Sequence, residues 1–342
     1  MNVVISATGL YHPPERITNA ELVASFNAYV ERFNRQNAAA IASGTLEALQ
    51  PSSVEFIEKA SGIKNRYAYE KRHSLDIDYM VPRIPERPNE ALSVQAEFAA
   101  NAGRQALARA QRDPADVDAI ICSAAMLQRP YPAIGIEVQQ ELGTSGFAYD
   151  MAVACSSATF AIQNAYDLVA AGHARSVLVE RAEIAPKASW AILKTKLVTK
   201  FSSNIRNNFG FLNRSDPSGV GKPDKLITQQ GRKVFREVVP MVSEMILQEM
   251  AELGLKPSDM RRLWLHQANS NMNRLIAEKV LGHEASEDES PTVLGEFGNT
   301  AGAGSIIAFH RHCEDLKAGD KGLICSFGAG YSIGAVFVQK NP

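Results

Sequence analysis

Apolar residues recur every three or four positions in some segments and form short continuous runs in others, a pattern that predicts helices and strands in alternation. The charged, proline-punctuated stretch 65–92 is predicted to be mostly loop. Helices are predicted over 19–33 with Asn19 as the cap, and over 36–50, 53–61, 93–109, 156–171, 242–253 and 301–318. Strands are predicted over 3–7, 119–122, 176–179, 260–265, 322–325 and 335–339, with an apolar segment at 146–153.

Two parts of the chain share one pattern of helix, Pro-x-Asp turn and apolar strand. Pro114 and Pro257, which lie 143 residues apart, open the two turns. Cys155 follows the first proline by 41 residues and Asn299 follows the second by 42, and each precedes a helix rich in small residues. The pattern predicts a duplicated α/β unit with halves at 1–180 and 181–342, whose equivalent helix starts, at Cys155 and Asn299, face a shared cleft.

The two halves differ after their last shared strand. In the second half a glycine-containing turn, 326–334, leads into a final strand at 335–339. In the first half Val179 runs directly into Glu180, with no glycine turn and no return strand. We therefore expect about 30 residues to be missing near 179–180, judged against the repeat. The Cα–Cα distance across 178–181 tests this, because bonded neighbours lie about 3.8 Å apart.

Composition narrows the class of protein. The chain has 342 residues, 45% of them hydrophobic and 21% charged, with a net charge of −1, which is ordinary for a globular protein of two packed halves. That charge leaves no basic surface for nucleic acid or for a membrane. Four cysteines without ligand spacing indicate reduced thiols and no metal site. With no signal peptide or apolar span, a cytoplasmic location is expected.

Cys155 is the first candidate for chemistry. It lies at a predicted helix N-terminus, where unpaired backbone N–H groups and the helix dipole favour negative charge. This position is expected to lower the pKa of the thiol and to supply a nucleophilic thiolate near neutral pH. The structural alternative is a small buried residue among alanines.

Three further features belong with this cysteine. His266 follows an apolar strand, Asn299 opens a helix, and Gly330 lies in the glycine turn. Each alone has a structural explanation, as a hydrogen-bonded ring, a cap and a turn. Together they fit attack of the thiolate on a thioester, with the N–H groups of Cys155 and Gly330 holding the oxyanion. His266 and the Asn299 amide would then hydrogen-bond a second carbonyl and stabilise an enolate formed by loss of carbon dioxide.

The chain resembles the β-ketoacyl-acyl carrier protein synthase III family of the thiolase superfamily. The resemblance rests on Ala154-Cys155-Ser156, His266-Gln267-Ala268-Asn269, Gly298-Asn299-Thr300 and the turn 328–334. It implies a five-layered α-β-α-β-α thiolase-like fold of two duplicated halves and a homodimer without bound cofactor. It also implies an acyltransferase of fatty acid synthesis: acyl-CoA acylates the cysteine, and malonyl-acyl carrier protein (malonyl-ACP) then undergoes decarboxylative Claisen condensation. The family roles of nucleophile and decarboxylation donors fall on Cys155, His266 and Asn299.

The same resemblance implies a set of substrate-binding residues and shows where this chain differs from the family. Gly231, Phe235 and Asn269 match the pantetheine tunnel, and Tyr131 matches an aromatic residue that caps the acyl pocket of the partner subunit. The alternative for Tyr131 is a loop aromatic packed under the surface. Phe56 stands where the family has a tryptophan that stacks on adenine. A docking arginine after the His-Gln-Ala-Asn motif and another near residue 60 are also replaced.

Two other functions stay open from the sequence. In the first, the acyl-cysteine passes its acyl group to an amine, an alcohol or water without any malonyl partner. In the second, the chain is a non-catalytic acyl-binding subunit on this scaffold. Release of carbon dioxide from a malonyl thioester separates the first alternative from condensation, and the reactivity of the Cys155 thiol tests the second.

Overall fold

The computed structural model describes residues 3–180, 189–208 and 227–342. The helices in these ranges are α1 (Asn19–Gln36), α2 (Ala38–Ala42), α3 (Val54–Ser61), α4 (Arg72–Leu75), α5 (Val94–Ala110), α6 (Ile134–Leu142), α7 (Ser157–Ala170), α8 (Gly231–Glu252), α9 (Ser270–Leu281), α10 (Leu294–Phe297) and α11 (Gly304–Arg311). The strands are β1 (Val4–Ile5), β2 (Glu15–Thr18), β3 (Asn65–Ala68), β4 (Ala119–Ser123), β5 (Phe147–Met151), β6 (Val177–Glu180), β7 (Trp190–Ser202), β8 (Ile205–Asn207), β9 (Ile227–Gln229), β10 (Met260–Leu265), β11 (Lys321–Gly328) and β12 (Gly330–Lys340).

The fold is built on two β-sheets. One has five strands in the order β1-β7-β12-β11-β10, and the other has three in the order β5-β4-β6. β10 and β11 are parallel, whereas β12 runs antiparallel to both β11 and β7. In the smaller sheet β4 is parallel to both of its neighbours. Two-stranded pairs, β2 with β3 and β8 with β9, complete the described strands.

Three apolar cores separate five layers. Helices α7 and α11 contribute to a central core that reaches strands of both sheets. Helices α8 and α9 cover the other face of the five-stranded sheet, and α5 and α6 cover the other face of the three-stranded sheet. Strand alternation explains this arrangement, because Leu323 and Cys325 face α8 and α9 while Ile324 between them faces the central helices. The expected α-β-α-β-α fold is confirmed.

Several local predictions are wrong. Thr18, rather than Asn19, caps α1: its side chain accepts the Glu21 N–H, and the Glu21 carboxylate accepts the Thr18 N–H, which forms a capping box. The helix predicted over 36–50 is limited to α2, and the loop predicted over 65–92 contains β3 and α4. The helix predicted to reach residue 318 ends at Arg311. Strand β7 was not predicted, although its β-branched residues, Ile192, Thr195, Val198 and Thr199, favour a strand.

The duplication is visible in matching turns. Both Pro-x-Asp segments form a 3₁₀ turn that leads into a buried strand, β4 or β10. Both helices α7 and α11 follow a 3₁₀ turn, Ala154–Ser156 and Ala301–Ala303. Each turn opens on a residue with left-handed backbone, φ 45° at Ala154 and 51° at Ala301. Cys155 therefore corresponds to Gly302, and the predicted pairing of Cys155 with Asn299 is off by three positions.

The first half ends without a second antiparallel strand among the described residues. β6 stops at Glu180, and β7, which belongs to the other sheet, begins at Trp190. The intervening nine residues are fewer than the eleven of β12, the return strand of the second half. The predicted test across 178–181 includes a position outside the described residues, and the two-half division stays a prediction.

Candidate active site

Cys155 is presented by a tightly held turn between β5 and α7. The Ser157 hydroxyl accepts the Val153 N–H at 2.8 Å and lies 2.8 Å from the carbonyl oxygens of both Ala154 and Ala124. These contacts hold Ala154 in its left-handed conformation, which most non-glycine residues avoid. The turn thus fixes the half-buried Cys155 at the start of the helix.

The sulfur of Cys155 packs against the turn that joins β11 to β12. The Ala329 N–H donates to Sγ, and a Cβ added at Gly328 would lie 2.8 Å from Sγ. Burial raises the pKa of the Cys155 thiol, and the Ala329 N–H opposes that rise. The expected lowering of the pKa at a helix N-terminus is thus outweighed by burial, and the resting group is a protonated thiol.

His266 lies at the C-terminal end of β10 and is 2% exposed. Its backbone N–H donates to the Cys325 carbonyl at 2.8 Å, and its ring meets the Phe327 ring edge-on at 5.4 Å. The Ala301 backbone carbonyl accepts from the imidazole, while Nδ1 is buried without a partner among the described atoms. Burial lowers the pKa of His266 to about 4, so the ring is neutral at pH 7 and carries a single N–H.

Asn299 is an exposed residue just before the turn that opens α11. Its Oδ1 accepts the Ala301 N–H at 3.0 Å. This contact fixes which end of the amide faces the protein and leaves Nδ2 to donate outward. Asn299 lines a cavity of about 650 Å³ whose walls include the aromatic rings of Tyr67, Phe98 and Phe297.

The turn Ala301–Ala303 brings the three predicted residues together. Ala301 contacts Asn299 through its N–H and His266 through its carbonyl. A Cβ added at Gly302 would lie 3.5 Å from the Cys155 carbonyl oxygen, which is ordinary contact distance. The backbone of Cys155, a neutral imidazole and an amide donor therefore lie around one turn, although Cys155 and Asn299 come from different halves of the predicted repeat.

The backbone N–H that the glycine turn places near the Cys155 sulfur is not that of the predicted Gly330. Gly330 is exposed and pairs with Ser202 at the start of β12. The N–H that reaches the Cys155 sulfur belongs to Ala329, one residue earlier. Sequence reasoning found the glycine turn but missed Ala329, because an alanine between glycines carries no chemical signal. The role of Gly330 stays a prediction.

Gly231, Phe235 and Asn269, the three residues matched to a pantetheine tunnel, line a single cavity of about 690 Å³. The exposed side chains of Arg232 and Arg236 also line it, and they give its wall positive charge. A cavity with cationic groups on its rim is suited to a ligand that carries phosphate.

The remaining sequence candidates lie at the surface. Asn269 caps α9 and donates from Nδ2 to the Ala60 carbonyl at 2.8 Å, which ties α9 to α3. Tyr131 is 82% exposed, which contradicts a loop aromatic packed under the surface. Phe56 is 66% exposed and available for stacking. Within the described ranges we find neither a cluster of metal-binding side chains nor a helix with the length and apolar character to cross a membrane.

Comparison with known proteins agrees with this geometry. Residues 250–340 match the family described as 3-oxoacyl-[acyl-carrier-protein (ACP)] synthase III C terminal. The β-ketodecanoyl-ACP synthase of Pseudomonas aeruginosa is 49% identical over 348 positions, covering 93% of this chain and 99% of that protein. The β-ketoacyl-ACP synthase III of Brucella anthropi is 27% identical and covers 70% of this chain and 82% of its own length.

Solved structures share the fold at low sequence identity. The 3-oxoacyl-ACP synthase III of Aquifex aeolicus superposes with a TM-score of 0.72 at 22% identity, over 99% of this chain and 100% of that one. The corresponding enzyme of Pseudomonas aeruginosa PAO1 gives 0.74 at 17% identity, over 100% and 99%. Fold and site thus define an acyl-transferring condensing enzyme of the thiolase superfamily. Within that class, the chain belongs to the β-ketoacyl-ACP synthase III family.

The 49% identical relative contains residues that this chain lacks. Its alignment spans 348 positions, more than the 342 residues of the chain. Since 93% of 342 residues is about 318, about 30 aligned positions have no counterpart here. The internal repeat predicts a difference of the same size, and its place near 179–180 stays a prediction.

Proposed function

We propose that this enzyme transfers an acyl group from acyl-CoA to Cys155 and then condenses it with malonyl-ACP. The observation that carries the proposal is the turn Ala301–Ala303, which links the amide of Asn299, the imidazole of His266 and the backbone beside Cys155. Separate thiols, rings and amides occur in most proteins, but these three groups around one turn suit two successive reactions on thioesters.

In the first half-reaction the Cys155 thiol loses its proton and the sulfur attacks the acyl-CoA carbonyl. The Ala329 N–H already donates to this sulfur, which stabilises the thiolate as it forms. The backbone N–H groups of Cys155 and Gly330 are our candidates for the oxyanion. Collapse of the tetrahedral intermediate expels CoA thiolate, which takes up a proton, and leaves the acyl group on Sγ.

In the second half-reaction the malonyl thioester carbonyl accepts hydrogen bonds from Asn299 Nδ2 and from the single N–H of His266. That N–H donates to the Ala301 carbonyl in the resting site, and the substrate carbonyl takes over as its acceptor. Loss of carbon dioxide leaves the bonding electrons in an enolate that these donors stabilise. The enolate carbon attacks the acyl carbonyl on Cys155, a carbon–carbon bond forms, and the cysteine leaves as thiolate. A neutral imidazole suits this step, because burial lowers the pKa of His266 to about 4 and the ring donates without needing a second proton.

We propose an eight-carbon acyl donor, octanoyl-CoA. The 49% identical relative is named as a β-ketodecanoyl-ACP synthase. A ten-carbon β-keto product receives two carbons from decarboxylated malonyl, which leaves eight for the acyl donor. The cavity beside Asn299 supports this choice, because Phe98 and Phe297 give it apolar walls. Mass spectrometry of Cys155 after exposure to acyl-CoAs of graded length tests the proposal, and a maximum at two carbons would contradict it.

The pantetheine arm of each substrate is proposed to enter through the cavity lined by Gly231, Phe235 and Asn269. Arg232 and Arg236 at its rim supply positive charge toward the phosphate of CoA and of the carrier protein. Because the carrier-docking arginine of the family is replaced by Asn271, these two arginines on α8 are our candidates for carrier docking.

We propose a homodimer assembled through β5. This strand pairs with β4 on one side and is the edge of its sheet within the described residues. It carries Phe147 at 42% exposure, and the neighbouring Ile136 and Tyr131 are 48% and 82% exposed. Pairing of two such edges would cover this apolar surface and bring Tyr131 toward the second copy. A cytoplasmic location, where acyl-CoA and carrier protein occur, is part of the same proposal.

Three variants test which residue acts in which half-reaction. Cys155→Ala should abolish acylation by octanoyl-CoA, measured by intact mass. His266→Ala and Asn299→Ala should acylate normally but lose release of labelled carbon dioxide from malonyl-ACP. Acylation without carbon dioxide release in the wild type would support acyl transfer to another nucleophile instead. An acylated Cys155→Ala protein would exclude the assigned nucleophile.

A further inference from the structure

Among the described residues, the two predicted halves of the fold differ by one strand. In the second half β12 lies between β11 and β7 and pairs antiparallel with both. By the repeat, β6 corresponds to β11, since each is the parallel partner of the strand that follows a Pro-x-Asp turn. β1 corresponds to β7, since each opens its half. Among the described strands, none lies between β6 and β1.

A cavity of about 280 Å³ occupies the place between these two strands, which we call the β1–β6 slot. Its strand walls come from both edges and carry mostly apolar side chains, while Arg112 and Arg175 add polar groups to the lining. Its other walls come from α5 in the outer helical layer and from α7 in the central layer, so it passes through the sheet as a strand would. The lining includes Val4 and Ile5 of β1, Val177 and Val179 of β6, Leu107 and Ala110 of α5, and Ile162, Ala165 and Val169 of α7.

Backbone pairing gives the slot a preference for an extended chain. β6 pairs only with β4, and β1 only with β7, in the described part of the molecule. Each therefore presents one edge whose N–H and carbonyl groups lack strand partners, the usual template for addition of a strand. The apolar walls above and below suit side chains that alternate to both faces, as those of β12 do.

We propose that the β1–β6 slot is a strand-binding site. Its occupant is an extended apolar peptide that runs antiparallel to β6, as β12 runs antiparallel to β11. The Pseudomonas relative has about 30 aligned positions without a counterpart in this chain, which is enough residues for one such strand. Three observations converge here: the unmatched strand of the repeat, the number of unmatched positions, and a cavity between two unpaired edges.

The direct test supplies such a strand in trans. A synthetic peptide with the relative's unmatched residues is titrated into the full chain, with a scrambled peptide as control. At a hundredfold excess over Kd, the matched peptide should raise Tm by about 3–5 °C, whereas the scrambled peptide should not. Equal shifts with both peptides, or no shift with either, would overturn the proposal. The readout is binding rather than activity, so the result is independent of the proposed reaction.

Two tryptophan variants on α7 locate the binding. Ala165 lines the slot, and Ala165→Trp should weaken peptide binding at least tenfold by filling it. Ala170 is exposed at the end of the same helix and outside the slot, so Ala170→Trp should bind within twofold of wild type. If Ala165→Trp does not fold, Val169→Trp serves in its place. Unchanged peptide binding by the slot variant would overturn the proposed site. Dissociation of an oligomer on addition of the peptide would overturn it too, because it would show that a second copy of this chain already occupies the slot.

Discussion

The absence of a side chain at Gly328 leaves the space that the Cys155 side chain occupies. A Cβ added there would lie 2.5 Å from Cβ and 2.8 Å from Sγ of Cys155, whereas nonbonded carbon atoms prefer about 3.5–4.0 Å. Relief of this overlap requires a displacement of about 1 Å in the turn or in Cys155. The same displacement would weaken the hydrogen bond from the Ala329 N–H to the sulfur. Gly328→Ala therefore perturbs the nucleophile without changing any reacting group.

The magnitudes follow from this overlap. Overpacking of this kind costs about 1–3 kcal/mol, so the free energy of unfolding should fall by that amount. A misplacement of about 1 Å at a reacting atom lowers a rate by about 100-fold. We expect Gly328→Ala to acylate Cys155 about 100-fold more slowly while Tm falls by only a few degrees. The assay is intact-mass detection of acyl-Cys155 over time with octanoyl-CoA, alongside thermal unfolding of the same protein.

Gly302→Ala is the matched control. Its added Cβ would lie 3.4 Å from the Ala154 carbonyl oxygen and 3.5 Å from that of Cys155, which is close to ordinary contact. We expect this variant to acylate within a fewfold of wild type. The reasoning fails if Gly328→Ala acylates at the wild-type rate, or if both glycine variants lose the rate equally.

Three other predictions concern protonation, docking and assembly. Burial lowers the pKa of His266 to about 4, below its value near 6.5 in the unfolded chain. As pH falls from 7 to 4, the free energy of unfolding of the wild type should therefore drop by up to about 3 kcal/mol more than that of His266→Gln. Denaturant titrations that show the same pH dependence for both proteins would contradict this. Arg236→Glu should raise KM for malonyl-ACP at least tenfold. Lys233→Glu, an exposed change on the same helix outside the cavity, should leave KM within twofold of wild type. Equal effects of the two variants would indicate a nonspecific effect of surface charge on carrier binding. Phe147→Lys on the β5 edge should convert a dimer into monomers in light scattering, and an unchanged mass would place the interface elsewhere.

Much of the site was accessible from local pattern. Cys155 precedes a helix of small residues, His266 ends an apolar strand, and Asn299 follows a glycine, so each was visible as a candidate at an element boundary. The repeat of Pro-x-Asp turns then predicted that the boundaries meet. The register of that repeat was wrong by three positions, because the shared feature is a left-handed backbone at Ala154 and Ala301 that residue identity does not reveal.

The sequence by itself determined the α/β class, and it supplied the duplication and the three proposed reacting groups as predictions, because periodicity, turn residues and chemical type are local properties. Only the tertiary structure decided that Ala329, rather than a glycine, donates to the sulfur, and that burial raises the pKa of the Cys155 thiol. It also revealed the cavity between β6 and β1, where none of the described strands lies. Such facts depend on which distant segments pack together and on how much water they exclude, and no single segment of the chain carries that information.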